Sequence, residues 1–372
     1  MLSISSALQG FTTLTTSKHD SGSARFELVP SDLDDLLVGS PKICIIGNYG
    51  QGNVGDESLL AGTLSLINGR GDLTVLSKNP ERVAALHKVP AAAMKSFRGV
   101  WALLRSPVVI VGGGGMFGAG QPPLVSLLAF VLLIEATLGR RVGLIGIGVY
   151  PGVPGIVAWA LRRLSSRASF VAIRDEASRE VFSGAKLCAD LAFSVTPASR
   201  DELNRLRKTH GIAAEGLMVM SLKPAPDIKL IQSQVEVACI AARAWLNAGM
   251  HHQLVFVCLS ALGDFGWGRT HTDESMAAAV INQVKGEVPS YSTRVVCITP
   301  ELSPALAKAL IGSADKVVGA RYHAMVFGAS MDRPTLGLVF EPKAQRFCDE
   351  YDISQFALPY GDVQHLLGWV RN

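Results

Sequence analysis

Lys42-Ile43-Cys44-Ile45-Ile46-Gly47-Asn48-Tyr49-Gly50-Gln51-Gly52-Asn53-Val54-Gly55-Asp56-Glu57 is the stretch that sets the fold class. The run 42–46 is apolar without alternation, which predicts a short strand covered on both faces. Glycine ends it, and a helical pattern runs from Glu57 to Ile67. Strand, glycine turn and helix make the opening of a βα unit.

The same rhythm recurs outward from this stretch. Apolar runs at 73–76, 108–111, 142–148 and 170–173 alternate with helical segments. A polar stretch at 196–215 reads as a domain boundary. The pattern restarts at 217–222 and continues through 254–258, 294–298, 316–318 and 335–340. The expectation is an α/β protein. A flexible tail (1–40) precedes a first domain (41–200) and a second (201–372), the last helix packing back on the first. Two open α/β domains facing one another place their strand ends around a shared cleft.

Composition agrees with a large globular chain: 372 residues, 48% hydrophobic and 18% charged. The net charge is only +4 and no long basic block occurs, which argues against nucleic acid as the main ligand. The six cysteines are scattered, with no CxxC or zinc-type spacing, so reduced core cysteines in a cytoplasmic protein are expected. No basic segment followed by an apolar one opens the chain, and residues 3–23 are rich in Ser and Thr. The apolar run 124–138 is too short to span a bilayer and contains Glu135, so a buried helix is expected there.

Gly50, Gly52 and Gly55 satisfy a GxGxxG spacing, but Ser77 and Lys78 stand where a dinucleotide site wants an acid. A P-loop fails as well, because Asn53-Val54 replaces Lys-Ser/Thr. Two readings of this loop stay open: a plain βα turn, or a backbone that lets a ligand approach main-chain N–H groups. Asp56 caps the following helix or serves a substrate. For Gly112-Gly113-Gly114-Gly115, closing a buried strand, backbone donors to a ligand and tight packing of the two domains are equally open.

Cationic and imidazole side chains collect at strand ends. Arg321 and His323 lie in Gly319-Ala320-Arg321-Tyr322-His323, Arg174 follows the run 170–173, and Lys343 follows the run 335–340. Arginine offers a fixed fork of donors and histidine moves protons near neutral pH, so the set suits an anionic substrate. For each residue alone, a surface ion pair or a satisfied core histidine is the bland alternative.

In this order the segments GNYGQGNVGDESLLAG, VVIVGGGGMF, VGLIGIGV, AIRDEAS, ADLAF, GARYHAMVFGA and PTLGLVFEPK resemble the polysaccharide pyruvyl transferase family, over about residues 42–347. Tyr322 fills a slot that is often Leu or Phe, and 262–274 matches only loosely and is expected to face the acceptor. The resemblance implies two Rossmann-like domains around a cleft, similar to the GT-B glycosyltransferases, with the acceptor on the first and the donor on the second. It implies transfer of a pyruvyl group from phosphoenolpyruvate to a sugar of a cell-surface or exopolysaccharide precursor. Arg174, Arg321, His323 and Lys343 bind the donor, His323 is the acid/base, and Asp56 is a candidate for acceptor binding or base. No metal or cofactor is implied beyond the donor substrate. A lipid-linked oligosaccharide acceptor would place the protein peripherally at the inner face of a membrane. A nucleotide-sugar glycosyltransferase and a non-catalytic sugar-phosphate-binding module are the alternatives.

Overall fold

The computed structural model of the chain describes residues 31–39, 41–118, 121–261, 271–299 and 302–372. Two wholly parallel sheets are present. The first comprises β1 (Lys42–Ile46), β2 (Asp72–Ser77), β3 (Ala91–Ala93), β4 (Val108–Phe117), β5 (Arg141–Val149), β6 (Phe170–Ile173) and β7 (Lys186–Leu187), in the order β3-β2-β1-β4-β5-β6-β7. The second comprises β8 (Leu217–Ser221), β9 (Gln253–Val257), β10 (Val295–Ile298), β11 (Lys316–Gly319), β12 (Thr335–Val339) and β13 (Ser354–Ala357), in the order β10-β9-β8-β11-β12-β13. Each order reverses beside its first strand, at β1/β4 and at β8/β11, and the crevice at such a switch point is where open α/β sheets take ligands.

Helices cover both faces. On one face of the first sheet lie α1 (Ser31–Leu37), α2 (Val54–Ile67) and α3 (Pro80–His87); on the other lie α4 (Phe97–Arg105), α5 (Pro123–Thr137) and α6 (Gly155–Ser165). The second half carries α7 (Arg200–His210), α8 (Ile228–Ala248), α9 (Asp273–Glu287), α10 (Pro304–Ile311), α11 (Tyr322–Ser330), α12 (Pro342–Glu350) and α13 (Val363–Arg371).

Two expectations need correction, and one stretch gains an element. The polar stretch at 196–215 holds helix α7, opened by a Ser199/Glu202 capping box and seated on the second half's core through Leu203. Its apolar stripe is one residue wide, too narrow for the periodicity to show. The last helix, α13, does not cross to the first half: Leu366 and Val370 pack with Trp245 and Leu246 of α8. Finally, β4 is not stopped by its glycines but runs through them to Phe117, with Gly112 and Gly114 paired to Ile145 and Ile147. All six cysteines are free thiols, five of them buried.

The two halves meet through the glycine loop after β1. Asn53 and Ser260 form an isolated antiparallel bridge. Val54 N donates to Leu259 O (2.8 Å), and Ala261 N donates to Gly52 O (2.9 Å). Val54 is buried in a core cluster made mostly of second-half residues. The start of α2 is thereby fixed against both sheets, which positions the site between them.

Candidate active site

A cleft of about 1450 Å³ runs between the halves and is lined from the ends of β1, β4, β5 and β6 on one side and β11 and β12 on the other. Four helices that begin at this cleft, α5, α6, α11 and α12, have no side-chain cap on their first turn. The other helices whose N-caps are described each carry one. Uncapped N-termini present unsatisfied N–H groups and the positive end of the helix dipole. The cleft therefore favours negative charge before any side chain is counted.

Tyr322 is the centre of the side-chain arrangement. Lys343 Nζ lies 4.0 Å from its ring centroid and the Arg174 guanidinium 5.8 Å, on geometry suited to cation–π attraction. The His323 ring meets it edge-on at 5.3 Å. Asp190 sits behind: its Oδ2 is 3.8 Å from Arg174 Nη1 and its Oδ1 is 3.9 Å from His323 Nε2. Both distances exceed hydrogen-bond reach, and Asp190 Oδ2 and His323 Nε2 are buried without a hydrogen-bond partner. Asp190 Oδ1 accepts from Ala192 N (2.9 Å), which fixes the carboxylate.

Glycine makes room for these groups. A Cβ on Gly55 would overlap the His323 ring, and one on Gly148 would stand 2.9 Å from Arg174 Nε. Arg174 N donates to Ile147 O (3.2 Å), pinning the arginine to the end of β5.

The crowding of cations in a secluded place depresses their basicity. Burial brings His323 down to about 4, with Lys343 and Arg174 adding to the effect and Asp190 opposing it. Burial, then Arg174, brings Lys343 down to about 7. Across the cleft, burial pushes the Asp56 carboxyl up to about 6, against the hydrogen bond it accepts from Asn48 Nδ2 (2.9 Å). At neutral pH these shifts favour a neutral imidazole at His323, leave Lys343 near its midpoint and keep Asp56 largely ionised.

Arg321, expected among the donor-binding residues, lines the cleft wall and also pairs with Asp273: Nε lies 3.0 Å from each carboxylate oxygen, and Nη2 lies 2.5 Å from Oδ1. Asp273 Oδ2 also accepts from Leu259 N (3.1 Å) and Ser260 N (3.0 Å). Arg321 therefore braces the loop that bridges to Asn53, and through it Gly55 against His323.

The glycine loop is likewise occupied with itself. Gly50 N donates to Glu57 Oε1 (2.6 Å), Gly55 N to Asn53 Oδ1 (3.0 Å), and Glu57 Oε2 pairs with buried His87 (2.8 Å). Gly50 and Gly52, at φ +80° and +75°, have Ser77 and Arg82 where a Cβ would go. The N-cap of α2 is Asn53, not Asp56. Gly113 lets Leu59 approach β4, and Gly114 faces Leu59 and Asp56, so the glycines pack α2 onto its own sheet. Within the segment expected to face the acceptor, residues 262–270 lie outside the described residues.

Asp190, Tyr322 and Asp273 were not assigned roles by sequence. Asp190 stands in the quoted ADLAF segment and was findable there; Asp273, 48 positions from its arginine, was not.

In the solved structures, UDP-GlcNAc 2-epimerase of Methanocaldococcus jannaschii aligns with a TM-score of 0.57 at 10% identity, covering 89% of this chain and 92% of that one. A putative UDP-N-acetylglucosamine 2-epimerase of Listeria monocytogenes aligns at 0.55 and 12%, covering 88% and 86%. Anabaena Alr3699/HepE, in complex with UDP and glucose, aligns at 0.54 and 12%, covering 89% of each chain. At such identities the likeness establishes the two-domain, GT-B-type fold alone. No curated protein matches the chain by sequence. The family model described as Polysaccharide pyruvyl transferase matches residues 53–340, from the Asn53 cap of α2 to the end of β12, and so takes in Asp56, Arg174, Asp190 and the Arg321-Tyr322-His323 turn. The chain belongs to the polysaccharide pyruvyl transferase family.

Proposed function

We propose that this protein transfers the pyruvyl group of phosphoenolpyruvate to two hydroxyls of one sugar, forming a ketal and releasing phosphate. The supporting observation is the gathering of Arg174, Lys343 and His323 around one ring, Tyr322, beside two uncapped helix N-termini. Phosphoenolpyruvate carries about three negative charges on one small frame, its second phosphate ionisation lying near pH 6. A carboxylate matches the planar fork of Arg174; the phosphate matches Lys343 and the backbone N–H groups that open α11 and α12. Arg321 braces the wall and is left out of the donor set.

The charge of the donor restores protons to Lys343 and His323. His323 delivers its proton to the methylene carbon, leaving an oxocarbenium-like centre on the adjacent carbon. A sugar hydroxyl attacks that centre and gives its proton to Asp56 or back to His323. The bond to phosphate then breaks, with the leaving oxygens held by Lys343 and Arg174. The second hydroxyl attacks the same carbon, and its proton departs with the phosphate. The reading calls on no cofactor besides the donor.

The test is incubation with phosphoenolpyruvate and a panel of glycan acceptors, following phosphate and glycan mass together. Acceptor-dependent phosphate release with pyruvyl gain on the glycan is expected. Release of nucleotide from a sugar nucleotide, with phosphoenolpyruvate untouched, would sink it.

A further inference from the structure

Helix α4 carries Phe97, Val100, Trp101 and Leu104 at the i, i+3, i+4, i+7 spacing that ordinarily buries a helix. Here that stripe faces outward: Phe97 is 83% exposed and Leu104 52%. The opposite side, with Gly99, Ala102 and Leu103, is the one turned to the sheet. The neighbouring helices repeat the feature. Leu127, Ile134 and Leu138 of the α5 segment and Ile156 and Trp159 of α6 are exposed apolar residues. All three helices share one core cluster on the same sheet face. Arg140 ties α4 to α5, donating from Nη1 to Ser106 O (2.7 Å) at the end of α4 while its Nε pairs with Glu135 (2.5 Å).

The exposed charge on these three helices and their ends has one sign. Lys95, Arg98, Arg105, Arg163 and Arg167 are exposed around it. The sole acid on the three helices, Glu135, is buried in its pair with Arg140. Arg105 lies over the Trp101 ring at 4.3 Å. Exposed Trp, Phe and aliphatic side chains among basic residues, on three helices that expose no acid, are the composition of a face that enters the headgroup region of an anionic bilayer; the nearest exposed acids, Glu176 and Glu180, lie beyond α6. Three separate apolar ridges suit deformable hydrocarbon better than a folded partner, which must match their relief. Among the described residues no helix is long and apolar enough to cross a membrane. The layer is also continuous with the cleft, since Leu124 and Val125 of α5 and Gly155 of α6 line it.

We propose that the outer face of α4, α5 and α6 docks on an anionic phospholipid bilayer, setting the first-domain side of the cleft at the headgroups where a lipid-anchored acceptor would enter. The acceptor clause rests on the proposed transfer; the docking does not, so its test involves no turnover.

Flotation of the full chain with phosphatidylcholine vesicles, with and without about 30% phosphatidylglycerol, reads the docking directly. Binding to the anionic vesicles alone is expected, lost in about 1 M salt. Phe97→Ser/Trp101→Ser/Trp159→Ser should weaken it by roughly tenfold or more. Arg98→Glu/Arg163→Glu should weaken it roughly 20-fold, and this second variant decides if the first does not fold. Donor binding should be unchanged in both. Absence of wild-type binding, or equal binding by the variants, overturns the proposal. So does a wild-type dimer that the serine variant returns to monomer, which would make the face a contact between copies.

Discussion

Gly55 and His323 compete for the same space across the seam between the two halves: a methyl group on Gly55 would overlap Nδ1 of the imidazole. The histidine is thus held by the absence of a side chain on α2 as much as by its own helix. Overpacking against the buried ring outweighs alanine's better helix propensity, so Gly55→Ala should cost about 1–3 kcal/mol of stability. It should also cut kcat roughly 100-fold by displacing the ring about an ångström. Steady-state kinetics beside a melting curve checks this; an unchanged kcat would remove His323 from the chemistry.

Lys343 should govern the pH dependence of donor binding. Its pKa of about 7 means that it is cationic below neutrality and neutral above. Affinity for phosphoenolpyruvate should therefore fall as pH rises from 6.5 to 8, about the range spanning that value. Calorimetry near pH 7.5 in buffers of different ionisation enthalpy should show proton uptake on binding. Lys343→Arg should flatten the dependence, because guanidinium does not titrate there.

The same lysine should cost the empty protein stability. Its folded pKa lies below the unfolded value near 10.4, so the unfolded chain binds more protons between pH 7 and 10.4. The penalty is full below about pH 7 and vanishes as pH rises through the unfolded value. Lys343→Met should stabilise the ligand-free protein by about 1–3 kcal/mol at pH 7 and much less near pH 10. Denaturant unfolding at the two pH values tests the sign.

Arg174 and Arg321 should separate cleanly. Arg321→Met leaves Asp273 buried without its partner and should cost about 3–5 kcal/mol of stability. Arg174→Met removes a side chain that makes no hydrogen-bond-length contact with Asp190 or Asp175, so it should raise the donor KM roughly tenfold or more while the protein stays folded. Equal behaviour of the two variants in melting and in KM would collapse the distinction.

Asp190→Asn preserves the side-chain acceptor that Ala192 N uses, since asparagine caps as well as aspartate. Stability should change by about 1 kcal/mol or less. What is lost is the negative charge facing His323 and Arg174, which supports the protonated imidazole. A fall in kcat of roughly 100-fold, within the range general acid–base groups supply, is expected. Single-turnover phosphate release would show it.

The alternation of apolar runs with helical ones was enough, by itself, to determine two parallel α/β units and to put Arg174, His323 and Lys343 at strand ends, because burial on both faces leaves a local signature in every strand. The edge strands β3, β7 and β13 left none, being two to four residues long. Tertiary structure alone decided partnership. It took Arg321 for Asp273, set Asp190 between Arg174 and His323, and turned Tyr322 from a slot-filler into the platform under two cations. It also sent the apolar stripe of α4 outward, where periodicity predicts an inward one. Hydrophobic pattern is a property of neighbours in sequence. Charge pairing, desolvation and which face of a helix meets water are fixed only when segments far apart in the chain come together. Arg321 and Lys343 share strand-end positions in sequence, and only the fold seats Arg321 against the Asp273 carboxylate and Lys343 over the Tyr322 ring.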